Sequence, residues 1–403
     1  MRRNFLKLFT IIVAVVFAGC PPKNEAGGGN GNAASSGGDI LIGEYGSLTG
    51  PQATFGTSTH NAIQLAVDEI NTAGGVNGRK IKLLTEDDQS KQEEAANAVT
   101  KLISQNNVLA ILGEVASSNS LAAAPICQSN KVPMITPSST NPEVTKKGDY
   151  IFRTCFTDDY QGENIARYAA NQLHYKRGAI LTDVKNDYST GLTTTIERVF
   201  TSQGGQIIAK ASYSNGDSDF RSQLTSIRAA NPEVIFVPGY YTDVGQIAIQ
   251  ARDLGMKQPL MGGDGWESPK LIEIGGKALE GCMYTNHYFY GDPAPNVRNF
   301  VQKYKERYGG IPDGMAALGY DAARVLADAI ARAKKLDGPS LREAIGATKG
   351  FQGVSGTINL GPDRNAVGKK IVIEEVKNGQ LTLKATIEPL AAGTAAPAQT
   401  TTH

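Results

Sequence analysis

Short apolar runs alternate with amphipathic helical patterns along most of this chain, and the alternation occurs twice. The first series occupies residues 39–173, and the second occupies residues 178–264. In the first series, the apolar run Asp39–Tyr45 precedes a helical pattern at His60–Asn71 that ends before two glycines. Strands that alternate with helices in this way form parallel sheets with helices on both faces. The sequence therefore predicts an α/β protein with two doubly wound sheets.

The last third of the chain departs from strict alternation. Helical patterns occupy residues 297–308, 315–333 and 341–347, and two alternating strands then meet at Asn378-Gly379, a strong hairpin turn. Ala391–His403 is of low complexity, and we predict that it is disordered.

Length and charge limit the possible functions. The chain has 403 residues, which is enough for two lobes that each have a core. Its formal net charge is +1, and the basic residues form no stripe. Because nucleic-acid binding normally requires a basic surface, this balance argues against such a partner.

The N-terminus has the pattern of an export signal. A basic segment at residues 1–7 precedes the apolar run Leu8–Ala18, which is too short to span a bilayer. Phe17-Ala18-Gly19-Cys20 resembles a bacterial lipobox, in which the cysteine is lipidated after cleavage, although Phe replaces the usual Leu. The sequence thus predicts a lipoprotein signal peptide over residues 1–20 and a flexible tether over 21–38. The alternative is a plain signal peptide that a cysteine happens to follow.

The remaining cysteines and the histidines suggest no metal chemistry. Cys127, Cys155 and Cys282 permit at most one disulfide, and Cys127 with Cys155 is the only pair considered; whether it forms stays open. Neither the cysteines nor the four histidines have the spacing of metal ligands. We expect no metal and no cofactor.

Small hydroxyl residues follow two neighbouring apolar strands. Ser117 ends the first stretch and precedes a helix predicted from Asn119 to about Ser129, whereas Ser138, Ser139 and Thr140 follow the second strand. A helix start exposes unpaired N–H groups and a partial positive charge, which suits a carboxylate. The carboxyl edge of a parallel sheet is also where ligands bind in such folds. The alternative is that these are ordinary helix-capping serines.

From about Asp39 to Leu390 the chain resembles the periplasmic binding proteins for branched-chain amino acids that serve ABC transporters. The similar segments, in order, are Gly50-Pro51, Phe55-Gly56, Asp68–Asn71, Gly74–Gly78, Gly113, Ser117-Ser118, Pro133–Glu143, Gly239-Tyr240, Gly245-Gln246, Met261–Gly265 and Gly319–Ala322. The order and spacing of these segments over the whole domain carry the resemblance, since no single segment is decisive.

This resemblance implies a fold of periplasmic binding protein type I, with two Rossmann-like lobes joined by a three-crossover hinge. The crossovers would lie near Phe156, Tyr284 and Gly361. Lobe one would comprise residues 39–155 plus 286–359, and lobe two residues 156–285 plus 360–390, with one ligand bound between the lobes.

The resemblance also implies how a free amino acid would be held. Ser117 and Thr140 match family positions that bind the ligand carboxylate. Asp264 matches a family glutamate that binds the ammonium, and it is shorter than that glutamate by one methylene. The Ser138 carbonyl and the Thr140 hydroxyl would be further acceptors, and Ser139 is a candidate beside them.

Aromatic and apolar positions complete the implied site. Tyr188 and Tyr240 match lobe-two tyrosines that cover the ligand, and a tyrosine can pack its ring while its hydroxyl bonds. Phe55 corresponds to a family tryptophan, and Met315 lies near a family aromatic residue. Both would line a pocket for an apolar side chain.

We therefore expect a monomeric, extracytoplasmic solute-binding protein, anchored to the membrane through Cys20, that delivers an apolar amino acid to an ABC permease. The alternative is a sensor lipoprotein of the same fold that binds an amide, urea or an aromatic acid and signals to a receptor. An enzyme is not expected, because the sequence contains no Gly-x-Ser-x-Gly, Walker or His-Glu-x-x-His motif.

Overall fold

The structure, a computed structural model, describes residues 38–389 and the backbone of 400–402. The predicted signal peptide, Cys20, all of the predicted tether except Gly38, and most of the predicted disordered tail lie outside the described residues. Among the residues that are described, no helix has both the length and the apolar character needed to cross a bilayer.

Lobe one begins with a five-stranded parallel sheet in the order β2-β1-β3-β4-β5. Its elements are β1 Ile40–Gly46, α1 Ala53–Thr72, β2 Ile81–Asp87, α2 Gln92–Ser104, β3 Ala110–Leu112, α3 Ser117–Ser129, β4 Met134–Thr136, α4 Glu143–Lys146 and β5 Ile151–Arg153. The short strands β3, β4 and β5 are fully buried, as expected for a sheet covered on both faces.

Lobe two is built on the second series of alternating elements. They are α5 Asp158–Arg167, β6 Arg177–Asp183, α6 Asp187–Ser202, β7 Gln206–Tyr213, α7 Arg221–Ala230, β8 Val234–Phe236, α8 Tyr241–Asp253, β9 Leu260–Gly262, α9 Pro269–Gly275 and β10 Met283–Asn286. These strands pair in parallel in the order β10-β9-β8-β6-β7. The predicted pair of doubly wound sheets is thus confirmed.

The chain then returns to lobe one. The returning elements are α10 Pro295–Tyr308, α11 Gly314–Arg332, α12 Gly338–Gly346, β11 Phe351–Gly353, β12 Gly356–Leu360 and β13 Ala366–Val367. The long helix α11 packs against α1, and its buried face joins the lobe-one core. Strands β11, β12 and β13 form a small separate antiparallel sheet.

The chain finally crosses back and extends the sheet of lobe two. These last strands are β14 Ile371–Lys377, β15 Gln380–Ile387 and β16 Thr400–Thr402. Strand β14 pairs antiparallel with β10, β15 pairs with β14, and β16 pairs with β15. Strand β16 lies within the segment 391–403, so the prediction of disorder does not hold for these three residues.

The third crossing lies later than predicted. Leu360 and Ala366 are buried in the core of lobe one, and the Arg364 carbonyl accepts a hydrogen bond of 3.1 Å from the Arg153 backbone N–H. Strand pairing with lobe two begins only at Ile371. The crossing therefore falls between Val367 and Ile371, and the position near Gly361 was wrong because these apolar side chains fill lobe one.

Candidate functional site

The candidate site lies at the carboxyl edges of the two parallel sheets. In lobe one, α3 follows β3 and carries Ser117, while Thr140 follows β4. In lobe two, Tyr240 follows β8 and Asp264 follows β9. Every predicted ligand residue is less than a tenth exposed; the set is Phe55, Ser117, Ser138, Ser139, Thr140, Tyr188, Tyr240, Asp264 and Met315.

The two lobes are in contact on both sides of this interior. On one side, the Ser118 hydroxyl donates to an Asp187 carboxylate oxygen at 2.7 Å, and the Asn141 amide donates to the Asp187 carbonyl at 2.7 Å. On the other side, the Thr54 and Ser268 hydroxyls are 2.9 Å apart. Because these contacts join opposite lobes and the residues between them are buried, the structure is in a closed conformation.

Three aromatic side chains meet between the lobes. The rings of Tyr188 and Tyr240 are stacked, with centroids 5.3 Å apart and planes 14° from parallel. Phe55 of lobe one packs edge-on against Tyr240, with centroids 5.5 Å apart. Met315 belongs to the same buried apolar cluster. This arrangement forms an apolar wall with contributions from both lobes.

The Tyr188 hydroxyl is already engaged at the edge of this wall. It accepts a hydrogen bond of 3.0 Å from the Gly265 backbone N–H, next to Asp264. Burial raises the pKa of Tyr188 well above its usual value, so its hydroxyl stays protonated and retains a hydrogen to donate.

The hydroxyl edge of lobe one differs from the prediction in its helix start. Helix α3 begins at Ser117, with Ala116 as the N-cap residue and no capping side chain, so a capping role for Ser117 was wrong. The first intrahelical bonds run from Asn119 and Ser120 to the Ala116 carbonyl. The N–H groups of Ser117 and Ser118, which precede these bonds, are therefore available to an anion, as the sequence suggested.

The serine side chains at this edge have different environments. The Ser117 hydroxyl oxygen accepts a hydrogen bond from the Asn141 backbone N–H at 3.2 Å. The Ser138 hydroxyl is buried and has no hydrogen-bond partner among the residues that the structure describes. A buried hydroxyl without a partner is costly, and a polar ligand group would satisfy it.

Ser139 has a supporting role in this structure. Its hydroxyl lies 2.8 Å from the Glu114 carbonyl, which it donates to, and 2.7 Å from the Ser120 hydroxyl. Its carbonyl accepts a hydrogen bond of 2.8 Å from the buried Arg153 guanidinium. Because its polar groups are used within lobe one, Ser139 holds its neighbours in place, and its contact with the ligand stays a prediction.

Asp264 lies in a network that the sequence did not reveal. The Gln161 amide donates to Asp264 Oδ1 at 2.9 Å and also to Asp158 Oδ1 at 2.8 Å. His287 Nε2 lies 2.9 Å from Asp264 Oδ2. All four side chains are buried. Two donors and a second carboxyl group thus surround the candidate partner of the ammonium.

Burial shifts the pKa values of two members of this network, Asp158 and His287. Burial, and then the nearby charge of Asp264, raise the pKa of Asp158 to about 8. Burial lowers the pKa of His287 despite its bond to Asp264. Near neutral pH the network therefore contains a neutral Asp158 and a neutral imidazole beside Asp264.

The cysteines and the acidic clusters of the described residues add no further chemistry. Cys127, Cys155 and Cys282 are buried free thiols, so the pair left open above does not form a disulfide here. Within residues 38–389, no group of three or more His, Cys, Asp or Glu side chains is placed to hold a metal ion.

The sequence profile of the periplasmic binding protein family matches residues 39–380. The chain belongs to this family. A relative from Pseudomonas aeruginosa named leucine-, isoleucine-, valine-, threonine- and alanine-binding protein is 30% identical over 326 residues, which is 80% of this chain and 86% of the relative.

Solved structures of periplasmic binding proteins agree with this assignment. The leucine binding protein LivK from Thermotoga maritima superposes with a TM-score of 0.83 and 42% identity, over 87% of this chain and 99% of LivK. LivJ from Streptococcus pneumoniae, a branched-chain amino acid transporter substrate binding protein in complex with isoleucine, superposes with a TM-score of 0.82 and 31% identity, over 87% of this chain and 100% of LivJ. The predicted family and fold are confirmed.

Proposed function

We propose that this protein captures an apolar α-amino acid between its lobes and delivers it to an ABC permease. The observation that carries the proposal is the closed arrangement of opposite walls. Lobe one contributes the start of α3 and the hydroxyls of Ser117 and Ser138, whereas lobe two contributes the carboxylate of Asp264. A zwitterion requires donors at one end and an anion at the other, and this interior supplies both.

The proposed mechanism is hinge closure around the ligand. The N–H groups and hydroxyls of lobe one bind the carboxylate, where charge-assisted hydrogen bonds contribute about 1.5–3 kcal/mol each. Asp264 and the paired rings of Tyr188 and Tyr240 complete the site only when lobe two closes. The ligand thus binds the closed form better than the open form, and this difference shifts the population towards closure.

The side-chain pocket supports an aliphatic or aromatic ligand. Phe55 packs against Tyr240, and Met315 is buried in the same apolar cluster. An apolar wall favours Leu, Ile, Val or Phe over charged ligands. One methylene changes binding by only about 1–3 kcal/mol, so we expect several related amino acids to bind.

The cellular context of the proposal comes from the N-terminal sequence. Lipidation of Cys20 would hold the protein at the extracytoplasmic face of the membrane, and residues 21–38 would let the binding domain reach a permease. We propose that it acts there as a monomer that binds a small amino acid.

Isothermal titration calorimetry on the domain that starts at Asp39 tests the proposal. The panel comprises the twenty amino acids, small amides, urea and benzoate. We expect at least one of Leu, Ile, Val or Phe to bind, and Asp264→Ala to weaken this binding at least 100-fold. Asp253→Ala, at an exposed position of the same lobe, is the matched control. Binding of only those ligands that lack an amino group would overturn the proposal.

A further inference from the structure

Strand register places His287 next to Asp264. Strands β9 and β10 are parallel neighbours in which Met283 pairs with Met261 and Tyr284 pairs with Gly262. Asp264 lies two residues beyond the end of β9, and His287 lies one residue beyond the end of β10. Both side chains therefore emerge at the same edge of the sheet, and the contact follows from the backbone.

Packing fixes the orientation of the His287 ring. The side chain is fully buried and is stacked on Phe156, with centroids 3.5 Å apart and planes 19° from parallel. Its backbone N–H donates to the Asn286 side-chain oxygen at 2.7 Å. A ring held in this way has little freedom to rotate away from Asp264.

The contact with Asp264 defines the tautomer. Because a carboxylate oxygen only accepts, Nε2 carries the hydrogen that lies between His287 and Asp264 Oδ2. Nδ1 is buried and has no partner among the described residues, as expected for an unprotonated nitrogen. Burial, which lowers the pKa of His287, favours the same neutral state.

A neutral donor at this position has two consequences for Asp264. Gln161 donates to Oδ1 and His287 to Oδ2, so the plane of the carboxylate is fixed while each oxygen keeps a further lone pair for another donor. An imidazolium would cancel the negative charge of Asp264, whereas a neutral imidazole leaves it available to an ammonium.

We propose that His287 is a positioning residue that orients the carboxylate of Asp264 towards the ligand ammonium and so selects amino acids over their analogues that lack the amino group. This proposal rests on the proposed function above. The short aspartate side chain makes orientation important, because its reach depends on the direction in which its oxygens point.

The test compares two ligands and two substitutions by calorimetry at pH 7. The ligands are leucine and its α-hydroxy analogue, 2-hydroxy-4-methylpentanoate. His287→Phe keeps an aromatic ring against Phe156 but removes the N–H, and we expect it to weaken leucine binding about 10- to 100-fold. The hydroxy analogue should change less than about threefold. His287→Gln restores a terminal N–H and should bind leucine nearly as the unmodified protein does.

The possible outcomes distinguish a failure of the role proposed for His287 from a failure of the proposed function. An unchanged leucine affinity in His287→Phe, equal weakening of both ligands, or a Gln variant as weak as the Phe variant would overturn the role of His287. Failure of the unmodified protein to bind leucine or any related amino acid would overturn the proposed function instead. His174→Asn, at an exposed histidine of lobe two, is the control.

A spectroscopic measurement covers the case in which His287→Phe fails to fold. Nitrogen-15 NMR of histidine-labelled unmodified protein should show His287 as the Nε2–H tautomer at pH 7, with a shift on addition of leucine that the hydroxy analogue does not reproduce. An Nδ1–H tautomer or an imidazolium at this residue would contradict the proposal.

Discussion

Asp158 and Asp264 are two buried carboxyl groups that share the donor Gln161. Asp158 lies at the start of α5, next to the first crossing, where the Thr140 carbonyl accepts a hydrogen bond of 2.9 Å from its backbone N–H. Its pKa of about 8 reflects burial first and the charge of Asp264 second. A buried acid whose pKa is strongly raised beside another charged group is typical of functional sites.

This shift predicts how stability depends on pH. The pKa of Asp158 is about 8 in the folded protein, well above the usual aspartate value of about 3.9, so its contribution to stability is fully present below about pH 4 and is lost as the pH rises through 8. The Asp158→Asn variant has no carboxyl group to ionise at this position, so it should not show this loss of stability. Its side-chain oxygen can still accept the hydrogen bond from Gln161. We expect the melting temperature of the variant, relative to the unmodified protein, to be about 2–4 °C higher at pH 8.5 than at pH 5.5.

Thermal unfolding without ligand measures this difference. Burial also raises the pKa values of Asp313 and Asp243 to about 7, so these groups also reduce stability as the pH rises. Because they are present in both proteins, their effect cancels when the variant is compared with the unmodified protein. Asp159→Asn changes an exposed neighbour and is the control. Parallel stability curves for Asp158→Asn and the unmodified protein would contradict the assigned shift.

Sequence reasoning located some of these residues and missed others for a physical reason. Asp264, Tyr240 and Ser117 follow apolar strands directly, and a strand end is visible in the sequence. His287 also follows a strand, but β10 has only four residues and was not predicted. Gln161 lies inside a helix, and its proximity to Asp264 depends on the chain crossing between lobes, which no local pattern encodes.

At the scale of elements, helices α3 and α6 meet across the lobe boundary. Ser118 of α3 donates to the carboxylate of Asp187, the first residue of α6, and the Asp187 backbone N–H lies 3.1 Å from the same hydroxyl. Asn186 caps α6 by accepting from the N–H groups of Tyr188 and Ser189. The contact of α3 with α6 therefore uses Asp187, whereas the N-cap of α6 uses Asn186.

Removing this contact should speed ligand release without changing the pocket. Because Asp187 is partly solvated, we expect Asp187→Ala to increase the dissociation rate of leucine only about two- to fivefold, with little change in the association rate. Stopped-flow fluorescence of Trp266, the single tryptophan of the chain, measures both rates. Thr194→Ala on the exposed face of α6 is the control, and an equal effect of the two substitutions would refute the role of the contact.

The helix bounds and the hinge show what hydrophobic periodicity and the family resemblance could each predict. Periodicity identified the long helix α11 to within one residue, because its buried stripe is long and regular. The position of the third crossing was predicted from the family alone, and it failed by several residues. Leu360 and Ala366 pack in the core of lobe one, and this packing sets the position of the third crossing. Such burial depends on residues that are distant in the chain, so a short stretch of sequence does not reveal it.

For the whole molecule, the closed conformation implies that ligand binding and lobe contact stabilise the same state. A ligand at 100 times its dissociation constant should raise the free energy of unfolding by about 2.7 kcal/mol. We expect leucine to raise the melting temperature accordingly and to reduce the radius of gyration measured by X-ray scattering. A ligand that stabilises the protein without compacting it would contradict hinge closure.

The stack of Phe156 on His287 joins the first and second crossings at the point where Asp264 is held. Asp264, the proposed partner of the ammonium, thus lies beside the hinge, whereas Ser118 and Asp187 join helices α3 and α6 across the lobe boundary. A substitution beside the hinge should change which ligand binds, and a substitution at the contact between α3 and α6 should change how long the ligand stays bound. The selectivity for a ligand and its residence time can therefore evolve separately in this protein.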